Sequence, residues 1–174
     1  MNAGISCSVM AALILLVSES FAGPVLSSKA HPKVFCEMAA DLGYPSRGYK
    51  ERTGGCASDM VDVTPAPGRS GLKNNLAFYS MGAFDEPSRL QRVSLILNVN
   101  NVNQKSMALA ELVRVASSLS VKLVGIIPVG FAGVLGNAGS KTWSVGEWTV
   151  EVKSSVWPTG QGQDTTVYFR PAVE

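Results

Sequence analysis

Histidine is nearly missing from this sequence: of 174 residues only His31 is one. A Ser-His-Asp or Cys-His mechanism would have to use that residue, and a zinc site would run short of ligands. Cysteine is scarce as well, with three in the chain and no C-x-x-C spacing, which sets aside a thioredoxin-like redox pair. Charged residues make up only 16%, and the formal net charge of +2 is too small to imply nucleic acid or an anionic membrane surface. Acidic side chains occur as isolated neighbours, Asp59 with Asp62 and Asp85 with Glu86, without the dense spacing of a calcium loop. These absences lead to the expectation that the protein is not an enzyme and uses no metal and no cofactor.

What the chain does contain begins with an export signal. Val9 to Val17 is an apolar run too brief to span a bilayer, and Ser20-Phe21-Ala22 places small residues where a signal peptidase reads. Residues 1–22 are therefore expected to be a signal peptide and residues 23–174 a single domain. Localisation is expected to be periplasmic or secreted. Cys7 precedes the apolar run, the wrong place for a lipid-modified cysteine, so no stable membrane insertion is expected. Cys36 and Cys56 remain after cleavage. In an exported domain such a pair reads as a disulfide, closing a loop of about 20 residues and contributing roughly 3 kcal/mol on the chain-entropy model.

The most strongly patterned stretch runs from Ser88 to Val121. Val93, Leu95, Leu97 and Val99 alternate with Arg92, Ser94 and Asn98, as in a half-buried strand over Leu90 to Val99, with Ile96 making the centre nearly continuous. Asn100, Asn101 and Asn103 make a turn cluster. Asn101 with Gln104 suggests a capping box for a helix over Val102 to Ser120, whose stripe is Leu109, Leu112, Val113, Ala116 and Leu119. A first helix is expected from Pro32, with Val34, Phe35, Met38, Ala39 and Leu42 as its apolar side and Gly43 as its cap. Strands are expected at Ala57 to Val63, Leu76 to Met81, Lys141 to Val145, Glu147 to Val156 and Thr165 to Arg170, separated by turn residues.

Leu123 to Ser140 contains no charged residue and has Gly130, Gly133, Gly136 and Gly139 at every third position. It has nearly the length of a membrane span, yet Pro128 and its glycines suit one poorly. Gly136 to Thr142 imitates a phosphate loop, except that Ser140 separates Gly139 from Lys141. The preferred reading is a short glycine-containing helix or irregular turn that packs closely.

Candidate binding residues are aromatic and basic: Tyr44, Arg47, Tyr49 and Arg52 in one loop, and Trp143, Trp148 and Trp157 near the C-terminus. By Asn74 to Tyr79, Leu95 to Asn101 and the two upstream cysteines, the chain resembles small exported bacterial two-cysteine proteins. The resemblance implies export and a mixed α+β domain, and it carries no functional residue. The expected fold is α+β, a largely antiparallel sheet of five to six strands with two main helices on one face. The expected function is a non-enzymatic, protein-binding protein of the bacterial envelope, for example an inhibitor or immunity protein against a toxin or wall hydrolase. The alternative is an accessory subunit of an envelope or secretion assembly; a third class is a cryptic hydrolase or carbohydrate binder using the tryptophans. The partner is expected to be another protein and not nucleic acid.

Overall fold

A computed structural model describes residues 26–172, and the export segment read over residues 1–22 lies outside them. The sheet is built around β4 (Leu90–Val99), which has β3 (Asn75–Gly82) on one side. Ser94, expected on the open face of β4, is buried, whereas the apolar face does what its pattern predicts: Val93, Leu95, Leu97 and Val99 are all 0% exposed. They align with Leu76 and Phe78 of antiparallel β3, and with Val167 and Phe169 of β7 (Gln163–Pro171) on the other side. β6 (Trp148–Val156) pairs with β7, and β5 (Lys141–Val145) with β6 through a turn at Gly146, whose φ is +57°. β1 (Gly55–Ala57) and β2 (Val61–Asp62) share the remaining edge of β3. The order is β1-β3-β4-β7-β6-β5, antiparallel throughout, with β2 beside β1 on β3.

The sheet has seven strands because the segment expected as one strand, Ala57 to Val63, divides. Ala57 faces Tyr79 whereas Val61 faces Leu76, so four steps along one chain match three along the other. Such an extra residue breaks a ladder as a bulge does. Ser58 occupies the break, accepting from Phe78 N–H at its Oγ (2.9 Å) and donating its own N–H to Phe78 O (2.9 Å).

α1 (Lys105–Val124) lies on the apolar face of the sheet, burying Ala108, Leu109, Leu112, Val115, Ala116, Leu119 and Leu123 at helical spacing. It runs four residues beyond the expected end at Ser120, because Leu123 and Val124 are buried and Gly125, at φ +79°, is the first residue to adopt the left-handed cap. The capping box forms only in half. Asn101 Oδ1 accepts from Asn103 N–H, but Gln104 Oε1 accepts from Ala66 N–H, and the Asn101 N–H donates to Asn74 Oδ1.

The expected first helix is instead a chain of 3-10 turns, Pro32–Phe35 and Ala40–Leu42, capped at Gly43 with φ +100°. Tertiary bonds explain the difference. Cys36 is joined to Cys56 in a disulfide, Lys122 Nζ donates to Met38 O (3.0 Å), and Phe35 packs edge-on against Trp148. The lysine takes up Met38 O, and the backbone closes i to i+3 bonds such as Cys36 N–H to Lys33 O and Leu42 N–H to Ala39 O.

Leu123 to Ser140 resolves into the end of α1, a loop, and the short α2 (Phe131–Gly136), which contributes Phe131 and Leu135 to the core. No helix among the described residues is long and apolar enough to cross a membrane. The phosphate-loop likeness fails on structure: Gly139 N–H is used by Val134 O (2.8 Å), and Lys141 opens a strand where that motif requires a helix.

Candidate functional site

The two groups of residues singled out from the sequence do not form one surface. Tyr44 is 2% exposed, and its hydroxyl donates to Glu111 Oε1 at 2.8 Å. Arg47 pairs with Asp59, and Tyr49 sits edge-on to His31 with ring centroids 5.1 Å apart. Arg52 is exposed on the 3-10 turn Glu51–Thr53. Trp148 is 1% exposed and donates its indole N–H to Leu26 O (3.2 Å). Trp143 is half-buried against Phe131, with its indole N–H on Val129 O (3.1 Å) and Lys141 Nζ 5.3 Å from its ring centre. Trp157 stands beyond the far end of β6, its indole N–H on Asp164 Oδ1 at 2.7 Å. Burial thus removes Tyr44 and Trp148 from any contact surface, and strand geometry separates Trp143 from Trp157.

A different arrangement forms where α1 passes the edge of the sheet. β2 pairs only with β3, and Val63 continues that ladder by donating to Asn74 O at 2.8 Å. Residues alternate in an antiparallel ladder, so Asp62 between Val61 and Val63 directs its N–H and C=O away from β3. Between this open edge and α1 lies a groove of about 720 Å³ whose apolar lining is Val61, Val63, Pro65, Met107 and Ala110. Met107 is 52% exposed although it is large and apolar.

The polar groups of the groove are already paired. Lys73 meets Asp62 at 3.3 Å. Arg114 grips Glu111 with two bonds, Nε to Oε2 (2.8 Å) and Nη2 to Oε1 (2.7 Å), and also donates to Leu42 O (2.9 Å). Arg114 beside Glu111, helped by the Tyr44 hydroxyl against the cost of burial, holds this carboxyl below the usual range. Burial and the adjacent carboxylate push the Tyr44 phenol well above its ordinary value. A neutral phenol, a carboxylate and a guanidinium bonded to one another thus form the floor of the groove. Elsewhere His31 Nδ1 accepts from Lys33 N–H (3.2 Å), capping a turn. Among the described residues no group of three His, Cys, Asp or Glu side chains is placed to hold a metal ion.

The groove was not visible in the sequence, because its walls come from residues 61–65 and 107–114, each of which reads locally as ordinary strand, loop or helix surface. One signal was present: Met107 falls off the stripe that faces the sheet. Comparison of the chain with protein-family models, with curated proteins and with solved structures finds no match.

Proposed function

We propose that the protein is an exported, non-enzymatic binding protein of the bacterial envelope that holds an extended segment of another protein in the groove between α1 and β2. One observation carries the reading: an unpaired strand edge borders an apolar groove whose other wall is a helix. A peptide laid there would extend the sheet through the outward N–H and C=O of Asp62 and seat alternate side chains against Met107 and Val63. Flexible methionine suits an apolar contact that must accept varied side chains. The disulfide supports passage through an oxidising compartment. An inhibitor or immunity protein is the concrete form of this function.

A photo-crosslinking amino acid placed at position 107 in the native host tests it, with Val156, 69% exposed, as the control position. The expected result is a stoichiometric adduct with one soluble protein from position 107 only, abolished by Val63→Asp. Adducts with subunits of a membrane assembly would turn the reading to an accessory subunit. Equal labelling from both positions would overturn it.

A further inference from the structure

A second concavity, of about 680 Å³, opens at the end of the sheet where three loops meet. They are the Pro-rich loop before β3, the asparagine turn between β4 and α1, and the turn between β6 and β7. Close backbone contact builds it. A Cβ on Gly68 would lie 1.9 Å from Asn100 O, and one on Gly162 would lie 2.4 Å from the Trp157 ring, so glycine alone lets these loops touch. Asn101 fastens the first loop to the second by donating to Pro67 O (3.1 Å) and Ala66 O (3.3 Å), while Asn74 Nδ2 donates to Asn101 O (3.1 Å). Trp157 is fixed by its bond to Asp164 and by donating its N–H to Gly162 O at 2.9 Å.

The groups left over define the ligand. Asn100 is 7% exposed, and its Nδ2 is consumed by Lys73 O (2.7 Å), but its Oδ1 accepts from no described residue. No fully enclosed side-chain polar atom among the described residues lacks a partner, so that oxygen keeps contact with solvent, and Asn100 is one of the residues that line the concavity. Arg69, Asn103 and Gln161 line the same space, are exposed, and have side chains engaged with no described residue. The site therefore offers an indole ring, neutral amides that both donate and accept, one guanidinium, and no carboxylate among its lining residues.

We infer that this concavity is a saccharide site. Hydroxyl groups that both donate and accept match the amides, the C–H face of a sugar ring matches the half-buried Trp157 indole, and Arg69 favours a ring bearing a carboxylate. The volume falls within the range of small-ligand pockets, roughly 300 to 1,000 Å³. This inference stands apart from the protein groove, since neither Val63 nor Met107 takes part in it.

The test follows the indole N–H signals of Trp143, Trp148 and Trp157 by NMR in the exported chain. Chitotriose, cellotriose, maltotriose and trigalacturonate are titrated singly into the protein, and vesicles displaying lipopolysaccharide form a separate arm. The expected result is a saturable shift of the Trp157 signal alone, weakened about tenfold or more by Arg69→Ala for the acidic sugar and by Trp157→Ala, followed through backbone signals, for every sugar that binds. Gln161→Ala, at an exposed side chain free of described partners, gives a folded variant with weakened binding. A shift with free trisaccharides assigns the site to soluble or wall-derived glycan, and one with vesicles alone assigns it to a lipid-linked glycan. No shift of Trp157 with any probe, or shifts confined to Trp143 or Trp148, overturns the inference.

Discussion

Replacing Tyr44 by Phe isolates one hydroxyl in the floor of the protein groove. The ring keeps its packing, since only the oxygen 2.8 Å from Glu111 Oε1 is lost. A hydrogen bond to a charged group contributes about 1.5–3 kcal/mol when its partner is left buried. Here the Glu111 side chain retains 28% exposure, so water reaches the carboxylate once the hydroxyl is gone, and Arg114 still holds it. The loss therefore falls at the lower end, about 1.5 kcal/mol. Urea unfolding at pH 7 should show a lower midpoint with an unchanged slope.

The same pair gives a pH signature that a mere packing defect would not. The Glu111 carboxyl is held below its ordinary 4.5, so its contribution is complete above that value and fades as pH falls through the lowered one. The Tyr44 phenol is raised above its ordinary 10.0, so its contribution is complete below that value and fades as pH rises through the raised one. The stability gap between wild type and Tyr44→Phe should be widest from about pH 5 to 9 and narrow towards strong acid and strong alkali. A gap under about 0.5 kcal/mol at pH 7, or one that widens in acid, refutes the reasoning.

Two further outcomes test the frame. Replacing Cys36 and Cys56 together by Ser should cost roughly 3 kcal/mol, a fall in Tm of roughly 6–12 °C by calorimetry, and a fall below about 3 °C would mean that the surrounding packing already restrains the loop. In Gly82→Ala the new Cβ would lie 2.0 Å from Pro87 O, so the β3–β4 connection must move, with an expected loss of about 1–3 kcal/mol in urea unfolding; wild-type stability would show the turn to be pliable.

The central strand and helix were legible because each buries one face against the other. In β4 the four aliphatic side chains Val93, Leu95, Leu97 and Val99 recur at every second position and are fully buried, within the strand Leu90–Val99. The helical stripe gave α1 its place but not its end, since the apolar Leu123 and Val124 run on into an equally apolar loop at Ile126 and Ile127. The disulfide was legible from cysteine count and export, and the 3-10 turns around Cys36 were not. Their cause is non-local: a lysine 84 residues away donates to Met38 O, and the bridge reaches Cys56. Periodicity reports which face is apolar; it does not report which distant donor tightens a turn.

The binding residues divide along the same physical line. Aromatic and basic residue types are enriched at contacts, yet the same types fill cores, and nothing local to Tyr44 or Trp148 distinguishes the two uses. What decides is the partner across the fold: Glu111 for Tyr44, Leu26 and Phe35 for Trp148. Trp157 differs because its own turn supplies its restraints, Asp164 for the indole N–H and Gly162 against the ring. The asparagines read as turn residues are the structural half of its surroundings, tying the Pro67 loop to the turn before α1 while leaving the Asn100 side-chain oxygen, which keeps contact with solvent, without a protein donor. A residue spent on holding loops together and still carrying an unused acceptor is the point at which the needs of the fold end and room for a ligand begins.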